Sequence, residues 1–170
     1  MPRRPASDGQ RGGHGADSRM SNRLRTIADA LATSLGGITF SPAATVQRKN
    51  WAAIDIEDMA TPVIYVVPGN AEVTRVSRSV SQFDYLANVF IGRHCQTDAE
   101  VDGMMDLADS VLLYIRAHSW GGVTWPTGVT SPQSVSININ PDDALNDRNV
   151  WRAVIEARYI VFEADTLPEV

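Results

Sequence analysis

His94 and Cys95 stand side by side, an imidazole next to a thiol, which is the residue pair a cysteine nucleophile and its general base would use. Their adjacency argues against that use. Along a strand, sequence neighbours project to opposite faces, and beyond a strand nothing holds them together. With one Cys and three His (His14, His94, His118), no spacing of the zinc-binding kind exists. Asp98, Asp102, Asp106 and Asp109 share one arc of a helical wheel, an arrangement that suits a cation, a basic partner or simply water. The solvated face is the simplest of the three. Asn140, Asp142, Asp143, Asn146 and Asp147 have the composition of a calcium loop but lack its alternation, its central Gly and its closing Glu. Turn-forming side chains explain that group better. Trp120 and Trp125 lie in a Gly-rich stretch where a partner contact is a minority reading, while Trp51 and Trp151 read as core. No GxxxxGK[ST], no GxGxxG after a strand and no GxSxG occurs. The expectation is therefore no catalytic residue, no cofactor, no metal and no enzyme.

Composition narrows the setting. A chain of 170 residues, 44% hydrophobic and 21% charged, suits one ordinary domain that can bury enough surface to stand without metals or disulfides. A single Cys cannot bridge within the chain, which points to a reducing compartment. No run approaches the roughly 20 apolar residues of a bilayer span, so no membrane partner is expected. Residues 1–19 contain Pro, Gly and Ser and no aromatic or β-branched side chain, and read as a disordered N-terminal tail ahead of a domain at 20–170. Four Arg against two Asp give that tail +2, which leaves −7 for the domain out of the total of −5. A tail that touches nucleic acid is the lesser reading, because the four Arg are scattered.

These groups must be positioned by a small set of elements. Ser21 reads as an N-cap, and Leu24, Ile27, Ala28, Leu31 and Leu35 form an apolar stripe that stops at Gly36-Gly37. Extended segments follow at Thr45 to Arg48, Val63 to Val67 and Val73 to Arg78, with Pro62 and Pro68-Gly69-Asn70 as punctuation. The continuous apolar run Val63-Ile-Tyr-Val-Val67 predicts a strand covered on both faces. Between Val73 and Tyr85 either a long hairpin or one bent strand fits. In Gln82 to Ile91 the apolar residues Phe83, Tyr85, Ala87, Val89 and Ile91 alternate, which is strand periodicity. From Thr97 the period becomes helical, and Thr97 with Glu100 has the form of a capping box. The apolar residues of this second helix cover about half its circumference, so it contacts more than one surface. Residues 119–132 read as a loop, Val135, Ile137 and Ile139 as a half-buried strand, and 141–149 as an acidic turn region. Val150 to Phe162 puts Trp151, Ala153, Ile155, Ala157, Tyr159 and Val161 on one face, which makes the last strand core material.

The opposite face of the two long strands is unusual for a solvated surface. Leu86 and Phe90 accompany Asp84 and Asn88 on one, and Ile160 and Phe162 follow Arg152, Glu156 and Arg158 on the other. Large apolar side chains there ask for a cover, either a local element of the chain or a neighbouring subunit.

This layout resembles the tail terminator (tail completion) proteins of tailed bacteriophages. The matching parts are an opening amphipathic helix, Pro62-Val-Ile-Tyr-Val-Val67, Phe83-Asp-Tyr-Leu-Ala-Asn-Val-Phe-Ile91, the capped helix from Thr97, and Trp151-Arg-Ala-Val-Ile-Glu-Ala-Arg-Tyr159. They run from Ser21 to Phe162 without an invariant motif, and residues 1–19 have no counterpart. The resemblance implies an α+β fold: a mostly antiparallel, twisted sheet with two main helices packed on it in a single domain. It further implies a structural virion protein that forms a ring, commonly of six copies, capping the tail tube, stopping its polymerisation and forming the joint to the head. Its implied partners are other copies of itself, the tail tube protein and the neck or head-completion proteins. The resemblance also implies that DNA passes through the lumen without sequence-specific binding and that assembly takes place in the host cytoplasm. Leu86, Phe90, Ile160 and Phe162 are then the subunit-interface candidates, and Trp120 and Trp125 a partner-contact loop. A neck or head-completion factor is the alternative within virion proteins. A small cytosolic ligand-binding or enzymatic domain is the alternative of another class.

Overall fold

The computed structural model describes residues 14–51, 59–117, 129, 132–139 and 149–164, with the backbone alone described for 14–21. The elements in chain order are α1 (His14–Gly36), β1 (Thr45–Arg48), β2 (Val63–Arg75), β3 (Val80–His94), α2 (Asp98–Arg116), β4 (Ser134–Ile139) and β5 (Val150–Ala164). The strands form one sheet in the order β1-β2-β3-β5-β4. β1 runs parallel to β2, and the other three pairings are antiparallel. The fold is α+β, with a mostly antiparallel sheet and two helices.

Period-two patterning decides which side of the sheet is dry. Cross-strand partners point the same way, so the pairs Val89↔Ile155, Ala87↔Ala157 and Tyr85↔Tyr159 place the alternating apolar residues of β3 and β5 on one inner face. On β2, Ile64 and Val66 join them. Both helices pack against that same face. α1 contributes Leu24, Ile27, Leu31 and Leu35, and α2 contributes Met104, Leu107, Val111 and Ile115, all in one continuous core with the inner strand residues. A hydrogen bond of 2.8 Å between Ser34 Oγ and Tyr114 Oη ties the two helices together.

The start of α2 is fixed twice over. The Thr97 hydroxyl accepts from the Glu100 amide, and the Glu100 carboxylate accepts from the Gln96 amide at 2.7 Å and the Thr97 amide at 3.3 Å, satisfying donors that a helix leaves open. The same carboxylate takes a hydrogen bond from Arg93 at 2.7 Å, so the helix start is clamped to the end of β3. Glu100 is held below the ordinary carboxylate range, chiefly by the Gln96 amide, with Arg93 and Thr97 adding to the effect. A depressed carboxylate supports the fold above its unfolded-state pKa and loses that support as pH falls through the native one.

Three sequence expectations are corrected here. α1 begins at His14, ahead of Ser21, because no proline interrupts the chain between them and Ser21 simply continues the helix. Residues 1–13 of the expected tail lie outside the described residues. Pro68-Gly69-Asn70 does not end β2. The strand continues to Arg75, and the register shift between Pro68 and Ala71 makes the triplet a bulge within it. β2 and β3 are therefore the two arms of one long hairpin. Trp51 is not core but 70% exposed, whereas Trp151 is fully buried.

The bulge has a glycine for a steric reason. A Cβ on Gly69 would lie 2.8 Å from the Leu86 carbonyl oxygen and 3.0 Å from Asn88 Nδ2, while one on Gly36 would meet nothing within 4 Å. Gly69→Ala is expected to lower the unfolding free energy by about 1–3 kcal/mol. Gly36→Ala should leave it unchanged or raise it by up to about 1 kcal/mol. Paired chemical-denaturation curves check both.

Candidate functional site

With both helices on the inner face, the outer face of the sheet has to be covered by something else, and the described chain covers only part of it. Val63, Tyr65 and Val67 of β2 turn outward and pack with Met59, Val150 and Phe90 in a second, smaller cluster. Lys49 Nζ sits 4.2 Å from the centre of the Tyr65 ring and shields its face. Met59 also reaches Gly92, where its Cε would come within 3.2 Å of an added Cβ. This cover belongs to the end of the sheet where β3 leads into α2.

The far end of the outer face has a different character. Register brings Leu86 opposite Arg158, Asp84 opposite Ile160 and Gln82 opposite Phe162. Asp84 accepts a hydrogen bond from Arg158 at 2.7 Å and from Gln82 at 3.1 Å. Leu86 and Ile160 are half-buried, and Phe162 is 63% exposed. The four interface candidates thus share one face but not one environment. Phe90 rests on the small cluster beside Val67 and Tyr65, so a local element of the chain already covers part of it. Leu86, Ile160 and Phe162 form the open part, an apolar strip crossed by the Asp84–Arg158 ion pair. Burial of one Phe or Leu side chain contributes roughly 1.5–3 kcal/mol, so a partner that covered this strip would be held mainly by these residues.

The chemically suggestive residues are distributed rather than gathered. Cys95 is buried just past the end of β3, its amide donating to the Asn149 carbonyl at 2.8 Å and its thiol lying 3.8 Å from the Arg93 carbonyl. Burial raises its pKa, an effect that the nearby Arg93 cation offsets only in part. A thiol so placed is a small core side chain rather than a nucleophile. Asp98, Asp102, Asp106 and Asp109 are all exposed on α2, as a solvated face requires. Trp120, Trp125 and the Asn140 to Asp147 group lie outside the described residues. Among the described residues, no group of three or more His, Cys, Asp or Glu could hold a metal ion. Among them, too, no helix is long and apolar enough to cross a membrane.

Two surface features escaped the sequence reading. On α2, Met105, at the margin of the apolar half-circumference, is 41% exposed, and Leu113, which lies outside that half-circumference, is 60% exposed. At the turn of the β2–β3 hairpin, Val73 and Val76 are exposed beside Arg75 and Arg78. The signal for α2 lay in its width: a stripe covering half a helix exceeds what one sheet can take in. No model of a known protein family and no curated protein matches the sequence.

In the native protein, a thiol-specific reagent at neutral pH is expected to modify Cys95 far more slowly than in the denatured chain. A native rate equal to the denatured one would contradict the burial. The stability that its raised pKa represents is complete below the free thiol's pKa and is lost as pH rises through the native value.

Proposed function

We propose that this chain is a structural subunit of a phage tail terminator, a closed ring of identical copies that caps the tail tube, stops its growth and makes the joint toward the head. The observation that carries this reading is the one-sided cover of the sheet. Both helices lie on the inner face, and Leu86, Ile160 and Phe162 are left at the open end of the outer one. A head-to-tail contact between copies whose rotation closes produces a finite ring, and a finite ring is a physical means of ending a polymer. The layout from Ser21 to Phe162 supports the same assignment through its resemblance to that family. The net charge of −5 suits a channel that DNA must traverse without adhering. The tail tube protein on one side and neck or head-completion proteins on the other are the partners this role requires, and its setting is the virion.

Phe162→Asp tests the reading, because this side chain is exposed and its loss leaves the inner core intact. Wild-type protein is expected to sediment as a closed oligomer, alone or on meeting tail tubes, and to halt tube elongation. The variant should keep the wild-type circular dichroism spectrum and associate roughly hundredfold more weakly. A folded variant that assembles and terminates tubes as the wild type does would remove Phe162 from the interface.

A further inference from the structure

We infer that copies of this chain meet through a specific pair of surfaces: the turn of the β2–β3 hairpin of one subunit docks on the outward face of α2 in the next. The inference rests on the ring reading in one respect, that copies of the chain associate. The hairpin turn is a preformed knob. Val76 and Ser77 donate their amides to the Val80 carbonyl, and the Arg75 guanidinium braces the turn through the Ser77 and Arg78 carbonyls at 3.1 and 2.8 Å. Residues 73–81 contain two Arg and no acid, and Val76 is 56% exposed at the tip. An ordered turn presenting apolar and basic groups together loses little freedom on binding.

The outward face of α2 is its complement. At 100° per residue, Met105 and Leu113 fall on the same arc as Asp102, Asp106 and Asp109. That arc therefore combines exposed apolar side chains with Asp98 and these three acids against a single base, Arg116 in the last turn, and is acidic on balance. Basic-apolar meets acidic-apolar, with the apolar contacts supplying most of the affinity and the charges selecting the partner and its register. The contact has to be between molecules. The turn lies beyond Val80, at the start of β3, whereas α2 opens just past His94 at the other end of that strand, about 45 Å away at 3.3 Å per residue. A knob and a socket on different parts of one subunit make a head-to-tail contact when copies join, the type that closes into rings.

A charge exchange tests this pairing in the full chain. Arg78→Glu and, separately, Asp102→Lys with Asp106→Lys are expected to weaken self-association at least tenfold while leaving the thermal melt in place, since all three positions are exposed. Combining the three substitutions in one chain should restore association, and wild-type association should weaken as salt is raised. Undiminished association of either variant, or a folded combined variant that fails to recover, overturns the pairing while leaving the ring reading in place. So does binding of the hairpin turn to tube protein with self-association unaffected. A wild-type chain that stays monomeric at every concentration, with tubes present, overturns both.

Discussion

The constraint on which the rest of this structure depends is that its two helices occupy the same side of the sheet. That arrangement follows from β3 and β5, which are paired along their whole length with alternating apolar residues directly opposite one another. A one-residue slip would turn Tyr85, Ala87, Val89, Ile155, Ala157 and Tyr159 outward together, so the register is strongly determined. Once the inner face has received Leu31 and Leu35 from α1 and Leu107 and Val111 from α2, no helix remains among the described residues for the other face. The outer strip at Leu86, Ile160 and Phe162 is the residue of that asymmetry.

Local chemistry holds the asymmetry in place at the ends. The Thr97–Glu100 box and the Arg93 contact set where α2 leaves β3, and the Ser34–Tyr114 hydrogen bond keeps α1 beside it. At the far end, Arg23 of α1 pairs with Glu163 of β5, and on the edge strand Arg48 of β1 pairs with Asp29 of α1 at 2.9 Å. These are partly exposed ion pairs, each contributing little on its own, and their value is positional. They direct α1 along the inner surface.

Much of this was legible in the sequence because it depends on period. The strand at Gln82 to Ile91, the capped helix from Thr97 and the closing strand all follow from alternation or helical spacing that tertiary packing preserved. What could not be read depended on neighbours distant in sequence. Pro68-Gly69-Asn70 has the composition of a turn, and only the close passage of the Leu86 carbonyl shows it to be a bulge. Trp51 has a core-type side chain yet follows β1 at the sheet edge, where it stays exposed. Phe90 and Leu86 have the same spacing and the same face, but Met59 and its neighbours reach one and not the other. The exposure of Met105, at the margin of the apolar stripe, likewise depends on how far the sheet extends beneath α2, whereas that of Leu113 follows from its place on the acidic arc.

In the proposed ring, the outer strip, the hairpin turn and the outward face of α2 are buried by further copies of the same chain. A native mass spectrum of the purified protein, with and without tail tubes, tests it most directly. A single closed stoichiometry is expected, alone or once tubes are added. An isolated subunit under both conditions, or an open ladder of masses without a preferred size, would contradict it.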